Sequence, residues 1–115
     1  MKIIKLKDCY KGQNANNCVY NEYDFLDNDI DFSTSKIVGN YPNNAYCINE
    51  ECKEIIFVIK GNGTLKFSNL EIEFNEGDSI LIDKNEKYQW LDCNCTIAMC
   101  CTPAWNAKQH KIIKI

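Results

Sequence analysis

Short apolar runs separated by turn residues fill the chain from residue 46 onward, and they restrict it to an all-β fold. The clearest run covers residues 54–60, where Ile, Phe and Val follow a single carboxylate, Glu54. Asn62 and Gly63 come next and suit the positive φ angles of a two-residue turn, so the sequence predicts a hairpin there. Short strands at regular spacing, joined by Gly, Asn and Asp turns, are typical of a β-sandwich or barrel. The strands predicted in this part of the chain cover residues 46–49, 54–60, 64–68, 70–74, 79–82, 87–91, 95–101 and 110–115.

The first 45 residues carry a weaker pattern. Lysines alternate with aliphatic residues over 2–7, which predicts a first strand at a sheet edge. Residues 18–20 and 36–38 predict two further strands. The rest of 8–35 is poorly legible, and its acidic residues favour a solvated loop over a cation site. We predict one domain over residues 1–115, because a chain of this length buries one modest core.

Charge and hydropathy argue against two classes of partner. The formal net charge is −3 and all 13 basic residues are lysines, so the surface is not one that neutralises the phosphates of a nucleic acid. No apolar run approaches the length of a membrane span. The first residues also lack the apolar core of a signal peptide. We therefore expect a cytoplasmic protein with no nucleic-acid partner and no membrane partner.

The chain has eight cysteines, an even number that would suggest disulfides in a secreted protein. In the cytoplasm we expect reduced thiols, most of them packed as small apolar groups. No two cysteines have the C-x-x-C spacing of a zinc ribbon or a redox site. Cys93 with Cys95, and Cys100 with Cys101, remain an alternative as ligands of a soft metal.

Three stretches between residues 47 and 110 follow the pattern of a known family. They are Glu54 and Gly61 with six residues between them, the Gly77-Asp78 turn before the apolar run 79–82, and Pro103-Ala104-Trp105 ahead of Gln109-His110. In these stretches the chain resembles a small single-domain cupin. The resemblance implies a jelly-roll β-barrel of roughly six to eight strands, with a pocket in its mouth.

The resemblance also implies positions for a metal. Cupins typically hold a divalent metal with two His and one Glu from a first motif and one His from a second. By the spacing of the family, these positions fall on Cys47, Asn49, Glu54 and Tyr88, so only the Glu keeps its identity. Thiolate and carboxylate still suit borderline metals. Two alternatives therefore stay open: a changed divalent-metal site of Cys47, Asn49, Glu54 and His110, or no metal.

Glu54 and Tyr88 are the candidate catalytic residues. Glu54 suits a metal ligand or a general acid or base, and the alternative is a structural carboxylate that Tyr88 or backbone N–H groups hold by hydrogen bonds. If Cys47 has a role in function, it acts as a thiolate ligand of a metal or as a nucleophile. His110 is the only histidine, so any imidazole chemistry depends on it, although its Lys-rich strand favours an exposed surface position.

Three aromatic residues are candidate ligand-binding groups together with Glu54. Tyr88 and Trp90 share one face of their strand, which makes them either a pocket wall or part of the core. Trp105 follows Pro103 in a connection, where an aromatic ring plugs the end of a barrel or covers its pocket.

Two functions of different classes follow. The first is a cupin-like protein that binds a small polar or aromatic molecule in the barrel mouth. The alternative is a small enzyme of the isomerase, epimerase or dioxygenase type, in which Glu54 acts with a divalent metal or with Tyr88. A structural homodimer, paired through its first-strand edges, is the third possibility, and we expect a homodimer with either of the other two.

Overall fold

Nine β-strands and two short 3-10 helices form the chain in the computed structural model, which describes residues 1–115 throughout. The 3-10 helices are Leu6–Asp8 and Ala107–Gln109. The strands are β1 (Tyr10–Ala15), β2 (Cys18–Tyr23), β3 (Asp31–Tyr41), β4 (Ala45–Asn49), β5 (Lys53–Phe67), β6 (Leu70–Asn75), β7 (Ser79–Ile82), β8 (Gln89–Thr102) and β9 (His110–Lys114). No helix of the structure is long and apolar enough to cross a membrane.

Two antiparallel sheets build the fold. Seven strands form the larger sheet, in the order β1-β2-β3-β8-β5-β6, and β7 also pairs with β5. The smaller sheet contains β4 and β9. Cys47 and Tyr88 join the small sheet to the chain that enters β8, through backbone hydrogen bonds of 2.8 and 3.0 Å. The all-β fold predicted from the sequence is confirmed.

The hairpin predicted at Asn62 and Gly63 is wrong, because β5 continues through both residues as far as Phe67. The register of β5 against β8 shifts twice in this region, as at a β-bulge. Gly61 has a φ of +86°, and a Cβ there would overlap the carbonyl oxygen of Asn94 on β8. The residues that predicted a turn therefore bend a long strand. The reversal comes after Phe67, where Ser68 has a φ of 49°.

The bend lets β5 pair with two strands on the same edge. Its first part, Glu54 to Phe57, pairs with β7, and its last part, Asn62 to Phe67, pairs with β6. The strands predicted over 87–91 and 95–101 likewise form one strand, β8, in which Asp92 has a φ of 50°. Residues that favour a positive φ, such as Gly, Asn and Asp, thus occur at β-bulges as well as at turns.

The amino-terminal part of the chain also differs from its prediction. Residues 2–7 form no strand, and a 3-10 helix begins at Leu6. The sheet edge predicted there belongs instead to β1, which lies within the poorly legible segment 8–35 together with β2. The edge-paired homodimer stays a prediction, with β1 as the strand that occupies this edge.

The core lies between the inner faces of the strands. Glu54, Ile56 and Val58 alternate along β5 with the exposed residues Ile55, Phe57 and Ile59, so every second side chain faces inward. Six of the eight cysteines are buried and all eight are free thiols, as the sequence predicts. Glu54 is only 6% exposed, so the alternation carries one carboxylate into the interior of the barrel.

Candidate functional site

A cavity of about 250 Å³ lies inside the barrel. Thirteen of its twenty lining residues are hydrophobic, and six are the aromatic residues Tyr20, Phe32, Tyr41, Tyr88, Trp90 and Trp105. Phe32 and Trp105 are each 38% exposed, so they mark the side on which the cavity reaches the surface. Side chains alternate along β3 and β8, so every second one forms part of the cavity wall. Ser33, Ser35 and Ile37 face the cavity from β3. Ile97, Met99 and Cys101 face it from β8.

The structure brings the residues predicted from the sequence to this one place. All of them line the cavity except Asn49, which lies behind its wall. The residues that line it are Cys47, Glu54, Tyr88, Trp90, Trp105 and His110. His110 is half-buried rather than exposed, because β9 pairs with β4 and places it opposite Asn49.

Asn49 holds three of these side chains. Its amide nitrogen donates a hydrogen bond of 2.9 Å to Glu54 Oε1. Its Oδ1 accepts one of 3.1 Å from Trp105 Nε1 and contacts His110 Nδ1 at 2.9 Å. An indole N–H can only donate, which fixes the orientation of the amide and requires that His110 carry a proton on Nδ1. Neutral His110 therefore has its free lone pair on Nε2, and burial lowers the pKa of this imidazole.

The side chains of Asn49 and Cys101 hold Glu54 by hydrogen bonds, and neither Tyr88 nor a backbone N–H group does. Besides Asn49, the Cys101 thiol donates to Glu54 Oε1 over 3.6 Å. Burial raises the pKa of the Glu54 carboxyl, and these two hydrogen bonds lower it in part. The negative charge of Asp31 also raises the pKa of the Glu54 carboxyl.

Tyr88 and Cys47 are both uncharged at neutral pH. Burial raises the pKa of Tyr88 well above its usual value, and the charge of the nearby Glu54 carboxylate adds to this effect. Burial and Glu54 likewise raise the pKa of the Cys47 thiol to about 12, although a hydrogen bond from Tyr88 opposes them. The Tyr88 ring meets the Trp90 ring edge to face, with centroids 6.4 Å apart. Tyr88 thus offers the cavity a neutral hydroxyl on a rigid aromatic wall.

Solved structures show which class of fold this is. The Streptomyces protein Pac13, a nucleoside dehydratase, matches with a TM-score of 0.87 at 11% identity, over 100% of this chain and 92% of that chain. The polyketide cyclase RemF from Streptomyces resistomycificus gives 0.72 at 14% identity, over 100% and 85%. An RmlC-like cupin from Shewanella frigidimarina gives 0.68 at 8% identity, over 85% and 86%. The chain has the cupin fold. No family model matches the sequence, and no curated protein matches it.

The residues at the usual cupin metal positions do not fit a metal. Both lone pairs of Asn49 Oδ1 are used by Trp105 and His110, and amide oxygen is in any case a ligand for hard cations. Without an ion, burial raises the pKa of the Cys47 thiol to about 12 and that of Tyr88 well above its usual value. A bound metal would displace a thiol proton, so it is the occupied Asn49 oxygen that makes the set unsuitable. Around Glu54 this chain therefore has a hydrogen-bonded set centred on Asn49.

Sequence reasoning missed several residues at this site. Asp31 lines the cavity and accepts a hydrogen bond of 2.8 Å from the Trp105 backbone, and Glu22 lines it too, so these two do not belong to a solvated loop. Asp24 and Asp27 do, since each caps a turn in the exposed segment before β3. The sequence groups Cys101 only with its neighbour Cys100, as alternative ligands of a soft metal. Its actual neighbour, Glu54, becomes visible only with the register of β5 against β8.

Proposed function

We propose that this cupin binds a small, uncharged molecule with a planar ring in the barrel cavity. The observation that carries the proposal is the composition of the cavity wall, in which six aromatic side chains surround a few fixed polar groups. Sites for small organic ligands have this composition, since the apolar wall supplies affinity and the polar groups fix orientation. The volume, about 250 Å³, lies just below the usual range of about 300–1,000 Å³ for ligand pockets, so it suits a small ligand.

The charges at the cavity favour hydroxyl-bearing ligands over anionic ones. Glu22, Asp31 and Glu54 line it, and no lysine does. An anion would meet these carboxyl groups without a counter-charge, which costs free energy in a partly buried site. Hydroxyl and N–H donors of a neutral ligand can instead donate to them. A nucleoside-like molecule therefore suits the site better than a nucleotide.

One structural neighbour, Pac13, supports the same class of ligand. Structures of Pac13 variants hold uridine, a neutral molecule with a planar ring and hydroxyl groups. RemF is a polyketide cyclase, and the hydroxypropylphosphonic acid epoxidase from S. wedmorenis, which is named for an anionic substrate, matches with a TM-score of 0.74 over 59% of that chain. These proteins support a small-molecule-binding cupin.

Binding of uridine and of uridine 5′-monophosphate, measured by ligand-observed NMR and calorimetry, tests the proposal. We expect uridine or a neutral ring analogue to bind and the monophosphate to bind at least about tenfold more weakly, a difference of about 1.4 kcal/mol. Ser35→Phe fills the cavity from β3 and should abolish binding. Lys36→Phe places the same ring on the exposed outer face of β3 and should not change it. Binding that survives Ser35→Phe, or a preference for the monophosphate, would contradict the proposal.

Acid–base catalysis on the bound molecule is a second candidate function. His110 favours it, because Asn49 fixes the proton on Nδ1 and leaves Nε2 as an acceptor at the cavity. The Tyr88 hydroxyl is the neutral acid on the same cavity wall. Exchange of carbon-bound hydrogens of the bound ligand with D2O, followed by NMR, tests this function. We expect His110→Phe to stop the exchange while the ligand still binds.

A further inference from the structure

We propose that Cys52, Glu54 and Cys101 form a zinc site beside the cavity, which shares only Glu54 with the usual cupin metal positions. The three side chains are buried, and their ligand atoms lie within 4.8 Å of one another. The fold places them together for a simple reason. Cys101 lies opposite Glu54 in the pairing of β5 with β8, and Cys52 precedes Glu54 by two residues, so all three are on the inner side of the barrel.

The spacing of the donor atoms suits a tetrahedral ion. Zn–S bonds of about 2.3 Å and Zn–O bonds of about 2.0–2.2 Å at tetrahedral angles place a sulfur and an oxygen about 3.6 Å apart. Cys101 Sγ and Glu54 Oε1 are 3.6 Å apart. Two thiolates and one carboxylate select a borderline or soft cation over Mg²⁺ or Ca²⁺. Asn49 donates to the same carboxylate and so orients it as a partner behind a ligand does.

Gln109 gives an independent indication that this cluster holds more than two thiols. Its side chain is 2% exposed, and its Nε2 is the one buried side-chain polar atom without a hydrogen-bond partner. Its Oε1 is fixed by the backbone N–H groups of Glu51 and Cys52, at 2.8 Å each. The amide is thus anchored beside Cys52. A buried N–H donor needs an acceptor, and a metal-bound thiolate at Cys52 is one.

The site would be open on one side. Glu54 and Cys101 line the cavity and Cys52 does not, so the three protein ligands leave a fourth position that faces the cavity. Three protein ligands with an open position are the arrangement of a catalytic or substrate-binding zinc rather than a structural one. The zinc would then be within reach of any molecule that enters the cavity.

Other cysteines in this chain do not form such a site. Cys93 and Cys95 are close neighbours on one face of β8, but no carboxylate or imidazole joins them. Cys100 points away from Cys101, because consecutive strand residues face opposite sides. The pair Cys93 and Cys95 is therefore a matched control, equally buried and equally rich in sulfur.

Titration of the untagged, chelator-treated protein with Co²⁺ and Zn²⁺ tests the site. We expect one Co²⁺ per chain, with the near-ultraviolet thiolate charge-transfer band and the visible bands of a tetrahedral ion, and displacement by Zn²⁺. Cys52→Ser and Cys101→Ser should each weaken Zn²⁺ binding at least about 100-fold, and Gln109→Leu about 10- to 100-fold. Cys93→Ser should leave the affinity unchanged.

X-ray absorption of the zinc-loaded wild-type protein gives an answer that needs no variant. Two sulfur and two lighter ligands support the site; four sulfurs, or no sulfur, would overturn it. Absence of a stoichiometric thiolate band, or a band that persists in Cys52→Ser, would overturn it as well. This proposal does not rest on the ligand proposed above. Cys52→Ser removes a zinc ligand without altering the cavity wall, so uridine binding and zinc binding can fail separately.

Discussion

Asn49 Nδ2 donates a hydrogen bond of 2.9 Å to Glu54 Oε1, and both side chains are buried. The same amide accepts from Trp105 and meets His110 on its oxygen. At a position where the family has a metal-binding histidine, this chain thus has an amide that satisfies one acceptor and two donors at once. Asn49 holds together by hydrogen bonds the side chains that a metal ion would otherwise organise.

Replacement of Asn49 by leucine should destabilise the protein by about 2–4 kcal/mol. The variant keeps a similar volume but leaves the Glu54 carboxylate with only the Cys101 thiol as a partner, and it removes the acceptor of the Trp105 and His110 N–H groups. Urea unfolding followed by circular dichroism measures the change. Asn43→Leu is the control, because Asn43 is exposed and its side chain makes no hydrogen bond; its effect should stay within about 0.5 kcal/mol. Equal effects of the two variants would contradict the role of Asn49.

Stability should depend on pH through Glu54. Burial raises the pKa of this carboxyl in the folded protein, so its contribution is fully present below the pKa of the unfolded chain and is lost as pH rises through the folded value. Wild type and Glu54→Gln, compared without metal, should be similar in stability near pH 4. The wild type should then become progressively less stable than the variant toward pH 8. Urea unfolding at a series of pH values in the presence of a chelator measures this difference, and a wild type that gains stability relative to the variant would contradict it.

Native thiol labelling should spare Cys47. The pKa of this thiol is about 12 and its side chain is 1% exposed, so it presents almost no thiolate at pH 8. A short treatment with iodoacetamide should modify the partly exposed Cys9 and Cys100 first, as read by mass spectrometry of tryptic peptides. Labelling after unfolding in guanidinium is the control, in which all three should react alike. Early native modification of Cys47 would show that a nearby group activates it.

Much of the site could be predicted because it depends on local pattern. Period-two alternation places Glu54 inside the barrel and puts Tyr88 and Trp90 on one face, and the cupin resemblance points to Cys47 and Asn49. Each of these conclusions needs only the strand and its direction. The side chain of Asn49 nevertheless serves a different purpose from the one that its position suggests, since chemistry at a family position depends on what surrounds it.

The rest could not be predicted because it depends on the register between distant strands. Cys101 meets Glu54, and Gln109 meets Cys52, only after β8 and the last 3-10 helix are placed against β5. Sequence reasoning missed β1 and predicted β2 only over residues 18–20 for a related reason: both strands have few inward apolar residues, so their alternation is faint. They form because β3 offers an edge to β2, and β2 in turn offers one to β1, a tertiary effect that overrides local propensity.

Gly61 should be far less tolerant of alanine than Gly77, although both have φ angles near +90°. Any side chain at either glycine strains the backbone by about 1–2 kcal/mol. A Cβ at Gly77 meets no atom within 4 Å, whereas a Cβ at Gly61 would overlap the Asn94 carbonyl on the neighbouring strand. We therefore expect Gly77→Ala to cost about 1 kcal/mol and Gly61→Ala at least about 3 kcal/mol, as measured by urea unfolding. The matched φ angles cancel the backbone strain, so the difference reports the close approach of β5 to β8 at the bulge. Similar costs for the two variants would mean that the bulge is not clamped against Asn94 and that β5 turns back earlier, as the hairpin predicted from Asn62 and Gly63 requires.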